Sequence, residues 1–148
     1  MTDEDWMREA LAEARRGAER GEVPVGAIVV RDGEELARAH NLRESAGDPL
    51  AHAEVLAIGA AAEKVEGWRL TGCTIYVTLE PCAMCAGALV NARVDRIVFG
   101  ARDPKAGFCG SLGDLVRDRR MNHRLEVSSG VLAEECGELL RVFFAARR

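Results

Sequence analysis

Two cysteines in the segment TLEPCAMCAG (78–87) have a spacing that proteins use for three kinds of chemistry. Cys82 and Cys85 could form a redox couple, half of a structural zinc site, or two ligands of a catalytic metal ion. A redox pair at a helix start after a strand fits this position. A structural zinc site needs two further ligands, and the remaining cysteines (73, 109 and 136) lie far apart and supply no second pair. Taken alone, the cysteine pair leaves the alternatives open.

A histidine and a glutamate two residues apart lie in AHAEV (51–55), upstream of the cysteines. Both segments are predicted to begin a helix, so His52, Cys82 and Cys85 can converge on one ion and leave its fourth tetrahedral position open, as in catalytic zinc sites. Zinc lowers the pKa of a water from about 15.7 towards 7, and Glu54 is placed to take the proton and pass it on. The joint pattern H-x-E…P-C-x-x-C is typical of zinc-dependent nucleobase deaminases, which favours a catalytic zinc.

The composition is typical of one ordinary globular domain. The 148 residues suit a single domain spanning 1–148, with 48% hydrophobic and 30% charged residues. The acidic start MTDEDWMREA is not a secretory signal, and no apolar run reaches the roughly 18 residues of a membrane span. We therefore expect a cytoplasmic protein with no membrane association. Five cysteines without an export signal make a disulfide framework unfavourable and leave the thiols available to a metal.

The charge distribution is uneven although the net charge is only −4. Residues 1–92 carry 9 basic side chains against 16 acidic ones, whereas residues 93–148 carry 11 against 8. The net charge alone argues against a nucleic-acid partner. The asymmetry indicates either a basic face on an acidic body or scattered solvated charges.

The predicted elements place the candidate ligands at the starts of two helices. Strands are expected where short runs between turn residues are apolar and rich in Val and Ile, at 23–30, 73–79 and 95–101. A returning hairpin strand is expected at 35–40, and a short strand and turn at 123–130. Helices are expected from caps and helical spacing, with one short polar helix among them: 2–20, 51–65, 82–92, 114–120 and 131–148. The pair Asp32-Gly33 predicts a hairpin turn, and 41–50 and 102–114 are predicted loops. A hairpin followed by alternating strands and helices predicts an α/β fold with a mixed sheet between helices.

Several further segments resemble one protein family. They run through nearly the whole chain: EVPVGAIVV (22–30), AHAEVLAI (51–58), YVTLEPCAMCAGA (76–88), RIVFGARDPKAG (96–107), GSL (110–112) and MNHR (121–124). With these segments the sequence resembles the bacterial tRNA-specific adenosine deaminases, which convert a wobble adenosine to inosine. The resemblance implies the three-layer α/β/α cytidine-deaminase-like fold with a five-stranded mixed sheet. It also implies a tRNA anticodon stem-loop as substrate and a homodimer whose subunits build the cleft together.

The resemblance also implies roles for individual residues. In the metal site it implies one Zn²⁺ per subunit held by His52, Cys82 and Cys85, with Glu54 as the catalytic proton shuttle. The resemblance also implies which residues bind the substrate. The Asn41 side chain and the Ala53 backbone N–H would hold the base, Asp103 and Lys105 would contact the ribose and backbone, and stacking and phosphate contacts would come from Phe144, Arg147 and Arg148. Asp103 is equally typical of an ordinary turn, and at least one of Phe143 and Phe144 is expected to lie in the core.

The sequence departs from the family pattern at two places, and two other functions are alternatives to this hypothesis. The chain ends at Arg148 without a basic tail, and Phe108-Cys109 occupies a loop that holds small residues in relatives. The glycines flanking Cys109 indicate a mobile loop and a passive thiol. A deaminase of free bases or nucleosides of the guanine or cytosine type would use the same zinc chemistry. A zinc-stabilised RNA-binding module would not need Glu54 beside an open metal position.

Overall fold

A five-stranded mixed sheet forms the centre of the computed structural model, which describes residues 1–147. The strands are β1 (Gly26–Arg31), β2 (Glu34–His40), β3 (Cys73–Leu79), β4 (Arg96–Ala101) and β5 (Glu126–Ser128). Their order across the sheet is β2-β1-β3-β4-β5. Strand β1 runs antiparallel to both of its neighbours, whereas β3, β4 and β5 are parallel. The predicted mixed sheet is therefore confirmed.

Five helices accompany the sheet within residues 1–147, and the first of them begins at a local sequence signal. They are α1 (Asp3–Glu19), α2 (Arg43–Ala46), α3 (Ala53–Val65), α4 (Ala83–Asn91) and α5 (Ala133–Ala145). Helix α1 begins with a capping box, in which the side chain of Thr2 accepts from the backbone of Asp5 and the side chain of Asp5 accepts from the backbone of Thr2. Asp32 and Gly33 both have positive φ (52° and 75°), as a tight hairpin between β1 and β2 requires. The hairpin turn predicted from Asp32-Gly33 is confirmed.

Alternate side chains of each strand enter two separate apolar layers. Val29, Ile75 and Phe99 belong to the cluster that includes the alanine-rich face of α3 and the apolar face of α4. Ile28 and Tyr76 belong to the opposite cluster, with residues of α1 and α5. Because successive strand residues point to opposite faces, helices cover both sides of the sheet, which is the three-layer α/β/α arrangement predicted from the sequence.

Segment 114–120 is not the short helix that its polarity suggested, because its backbone groups find partners outside the segment. Asp114 forms an isolated β-bridge with Cys109, and the carbonyl of Val116 accepts from the N–H of Leu125 at 2.9 Å. These bonds replace the intrahelical ones. Conversely, the predicted loop 41–50 contains the single-turn helix α2.

Within residues 1–147, no helix combines the length and the apolar composition that crossing a membrane would take.

Helix α1 packs directly onto β1 at Gly26, where a side chain has no room. A Cβ atom at this position would overlap the carbonyl oxygen of Ala10 and lie 2.7 Å from the backbone nitrogen of Ala14. We expect Gly26→Ala to lower the free energy of unfolding by about 1–3 kcal/mol, because the helix must move away from the sheet. Urea denaturation measures this change.

The matched control is Gly59→Ala on α3, where an added Cβ meets no atom within 4 Å. This substitution should stabilise the protein by about 0.5–1 kcal/mol, since alanine is the better helix former. Equal urea midpoints for the two variants would contradict close packing at Gly26.

Candidate active site

The three predicted metal ligands meet at the starts of two helices. His52 is the N-cap of α3 and Cys82 the N-cap of α4, while Cys85 lies in the first turn of α4. His52 Nδ1 lies 3.6 Å from Cys82 Sγ and 3.5 Å from Cys85 Sγ, and the three ligand atoms lie within 4.8 Å of one another. The sequence spacing therefore produces a group that could hold a metal ion.

The position of Cys82 depends on the end of β3. Strand β3 ends at Leu79, and Pro81 lies between it and α4. Proline has no N–H to continue a ladder, and the carbonyl of Pro81 instead accepts from the N–H of Phe108 at 2.8 Å. The positive end of the α4 dipole favours the thiolate forms of Cys82 and Cys85.

The electrostatics of this cluster follow from burial and from the thiol pair. Burial raises the pKa of Glu54, which is only 4% exposed, to about 7. The hydrogen bond from the Cys85 thiol is the largest cause that lowers the pKa of Cys82, which is about 5. The pKa of Cys85 is raised because this thiol donates to Cys82 and is buried. The thiol pair therefore favours ionisation of Cys82 over ionisation of Cys85.

A cavity of about 660 Å³ opens above the cluster and collects most of the predicted site residues. Its lining includes three residues of the metal and proton-transfer set: His52, Glu54 and Cys82. It also includes five of the residues that the sequence assigned to the substrate: Asn41, Ala53, Asp103, Lys105 and Phe144. Cys85 is fully buried. The cavity therefore brings a metal-binding group, a buried carboxylate and a polar wall together.

Asn41 is oriented by its own backbone neighbourhood. It is 8% exposed, and its Oδ1 accepts from the N–H of Arg43 at 3.1 Å. With its oxygen held by the backbone of Arg43, the side chain can present its amide NH₂ to a ligand in the cavity.

Asp103 and Lys105 lie in the loop that follows β4, at the opposite wall. Oδ1 of Asp103 accepts from the N–H of Lys105 at 3.0 Å and from that of Ala106 at 3.2 Å. This carboxylate thus has the turn-forming function that the sequence also allowed. Its second oxygen remains available to a ligand.

The C-terminal helix contributes one aromatic side chain to the cavity. Phe144 is 47% exposed and lines it, whereas Phe143 is 7% exposed and lies in the core, as expected for at least one of the pair. Arg147 lies outside the cavity lining, with its guanidinium 3.5 Å from the centre of the Phe143 ring and donating to the carbonyl of Phe143. Arg148, also predicted to bind substrate, lies outside the described residues.

Sequence reasoning missed several residues at the cavity. Three further cations line it, Arg43, Arg102 and Arg141, together with the buried carboxylate Glu80. None stands in a spacing with its own chemical meaning, so only the three-dimensional arrangement identifies them. Cys109 is fully buried in its loop, and among residues 1–147 the metal-binding group contains only His52 and the cysteines of the C-x-x-C motif.

Comparisons with known proteins agree with this arrangement. A family model described as MafB19-like deaminase matches residues 1–148. A solved structure from studies of A-to-I editing by tRNA A34 deaminases superimposes with a TM-score of 0.87 at 43% identity, covering 90% of this chain and 97% of that one. A guanine deaminase from Nitrosomonas europaea shares the fold at 24% identity, with a TM-score of 0.85 and coverage of 96% and 84%. The fold and site thus define a deaminase with a cytidine-deaminase-like fold.

The relationship is closer still to one branch of these deaminases. A tRNA-specific adenosine deaminase from Bacillus subtilis is 55% identical over 146 residues, which cover 99% of this chain and 91% of the relative. The chain belongs to the family of bacterial tRNA-specific adenosine deaminases.

Proposed function

We propose that this protein hydrolyses the amino group of the wobble adenosine in a tRNA anticodon, giving inosine and ammonia. One observation carries the proposal. A single cavity joins the His-Cys-Cys group and buried Glu54 to the polar side chains of Asn41 and Lys105, in a chain 55% identical to a tRNA-specific adenosine deaminase.

The spacing of the three ligand atoms supports zinc as the metal. In tetrahedral sites Zn–S is about 2.3 Å and Zn–N about 2.0–2.1 Å, which puts sulfur and nitrogen about 3.6 Å apart. The observed separations from His52 Nδ1 to Cys82 Sγ and Cys85 Sγ are 3.6 and 3.5 Å. Two thiolates and a neutral imidazole also balance the charge of Zn²⁺. Zinc, when bound there, would supply an acidified water as the nucleophile.

The chain's own residues would bind the base and move the protons. Asn41 donates its amide NH₂ to a ring acceptor of the base, and the backbone N–H of Ala53 at the start of α3 provides a second donor. Glu54 takes a proton from the attacking water and delivers it to the ring nitrogen, then takes the proton of the newly formed hydroxyl and delivers it to the amino group, which departs as ammonia. A single buried carboxylate suffices, because both transfers occur within one cavity.

The RNA contacts of this proposal lie at the cavity rim. Phe144 offers an exposed ring on which a base can stack. Lys105 would bind a phosphate, Asp103 would accept from a ribose 2′-OH, and Arg147 and Arg148 would contact phosphates beyond the cavity. A homodimer completing the cleft and a cytoplasmic location remain predictions.

A deamination assay on RNA and on free substrates tests this function. We expect the protein to form inosine in an anticodon stem-loop that carries a wobble adenosine, and to leave free adenosine, cytidine and guanine unchanged. The stem-loop with guanosine at the wobble position is the control for background signal. Turnover of free bases without turnover of the RNA would instead identify a deaminase of small substrates.

A further inference from the structure

Two buried carboxylates lie outside the metal site, and the deamination chemistry does not use them. Glu22 is fully buried before β1, and Glu80 is 2% exposed just after β3. Among residues 1–147 neither forms a salt bridge. A buried carboxylate without a countercharge is costly unless hydrogen bonds satisfy both of its oxygens. The segments that donate hydrogen bonds to Glu22 and Glu80 therefore indicate the function of these two carboxylates.

Glu80 is surrounded by donors from the loop that forms one cavity wall. Oε1 accepts from the N–H of Asp103 at 3.0 Å and the hydroxyl of Ser111 at 2.5 Å. Oε2 accepts from the N–H groups of Cys109 and Ser111 at 3.1 and 3.0 Å. A Cβ on Gly107 would overlap this carboxylate, so the loop backbone touches it directly. Four hydrogen bonds from three of its residues thus fix the loop that was expected to be mobile.

Glu22 holds the opposite wall in the same manner. Its Oε1 accepts from the N–H of Glu44 at 3.1 Å, and its Oε2 accepts from the N–H of Ser45 at 2.6 Å and also from the Ser45 hydroxyl. These residues follow Arg43, whose N–H fixes the amide of Asn41. The carboxylate of Glu22 therefore holds the segment that orients the proposed base-binding amide.

We propose that Glu22 and Glu80 are positioning residues that hold the two walls of the substrate cavity, Glu22 acting through Asn41 and Glu80 acting through the loop of Asp103 and Lys105. This inference rests on the proposed deaminase function for its kinetic consequences. It assigns both carboxylates to substrate placement, because every group that they bind belongs to a segment lining the cavity or flanking such a segment.

Glutamine is the diagnostic replacement because it keeps the shape of the side chain. Every partner of both carboxylates is a donor, and an amide NH₂ in place of one oxygen would set donor against donor. For Glu80→Gln we expect kcat/KM on the stem-loop to fall roughly 10- to 100-fold, the range for loss of hydrogen bonds to a charged group. In Glu80→Gln the loss of kcat/KM should come mainly from a higher KM. In Glu22→Gln the loss should come mainly from a lower kcat, because the reacting base is misplaced.

Glu13→Gln is the matched control, since Glu13 is also a buried carboxylate but does not line the cavity. It is 6% exposed and accepts from His40 and Arg16, both at 2.6 Å. This variant should lose stability comparably and keep wild-type kcat and KM. Losses in kcat/KM for Glu22→Gln and Glu80→Gln no larger than for Glu13→Gln would overturn the inference.

Double-mutant cycles separate positioning from general weakening of the fold. In the Glu80→Gln background, Lys105→Ala should cause little further loss of kcat/KM, whereas the loss caused by Asn41→Ala should be additive. In the Glu22→Gln background, Asn41→Ala should cause little further loss, and the loss caused by Lys105→Ala should be additive. Interacting sites give non-additive effects and independent sites give additive ones, so additivity in all four cycles would contradict the assignment.

Amide hydrogen exchange provides a readout independent of turnover. In Glu80→Gln the amides of Asp103, Cys109 and Ser111 should exchange faster, while those of Glu44 and Ser45 should not. Gly107→Ala should give the same local loss from the loop side with Glu80 intact. A wild-type protein that edits no RNA would contradict the proposed function, whereas unchanged exchange at these amides would overturn the positioning itself.

Discussion

Replacement of Glu54 by glutamine is expected to lower kcat on the anticodon stem-loop by about 10²- to 10⁴-fold, the contribution of a positioned proton-transfer group. The variant should retain the same metal content as the wild type. Glutamine has almost the same shape and fits the same buried position at the start of α3, where Glu54 is 4% exposed. The amide of glutamine cannot accept a proton and pass it on, so the substitution removes only the proton transfer.

The prediction separates two functions that share the same metal ligands. A zinc-stabilised RNA-binding module would have no use for a buried carboxylate lining the cavity beside His52 and Cys82. Rapid-quench measurement of inosine under single-turnover conditions gives the chemical step, and elemental analysis gives the metal content. If Glu54→Gln deaminates at the wild-type rate, Glu54 is not the shuttle.

Glu63→Gln is the matched control for this experiment. Glu63 lies on the same helix and is exposed, so the substitution makes the same change of charge without entering the cavity. It should leave the rate of deamination unchanged. A rate loss in both variants would point to the helix and not to proton transfer.

The metal-binding group could be predicted from the sequence because its placement depends on local rules. His52 and Cys82 each precede a helix, and the order of strands and helices brings the two helix starts together. The short apolar runs between turn residues likewise predicted the buried strands, and the order of strands and helices predicted a sheet between helices. In such segments a residue's position is decided by neighbours within a few places along the chain.

The walls of the cavity could not be predicted in this way, because their partners are distant in sequence. Glu22 binds Ser45, which is 23 positions away, and Glu80 binds Ser111, which is 31 positions away. Both glutamates precede apolar strands or helices, and local reasoning gives them no special function. The failure at 114–120 has the same physical cause, since the backbone there binds Leu125 and Cys109.

Replacement of Cys82 by serine is expected to remove the metal and with it the deaminase activity. The wild type should contain about one zinc per chain. Serine would present a hydroxyl that stays protonated at neutral pH in place of a thiolate, and zinc ligands must be deprotonated. Losing only an outer hydrogen-bond partner of a ligand costs about 10- to 100-fold in metal affinity, so losing the ligand costs more.

Cys109→Ser is the control that assigns the effect to the ligand group and not to cysteine in general. Cys109 is fully buried near the cavity, yet the metal-binding group consists of His52, Cys82 and Cys85. This variant should keep its zinc, although burying a hydroxyl in place of a thiol lowers its stability. Loss of zinc from Cys109→Ser, with retention in Cys82→Ser, would reverse the ligand assignment.

Thermal unfolding with and without added zinc provides a readout besides activity. A ligand that binds only the folded state stabilises it by mass action, so zinc should raise the Tm of the metal-stripped wild type and of Cys109→Ser. It should not raise that of Cys82→Ser, because two remaining ligands bind too weakly. An equal zinc-dependent shift in all three proteins would place the metal elsewhere. Since Glu54→Gln should still show the full shift, the two substitutions together separate the residue that moves protons from those that hold the metal.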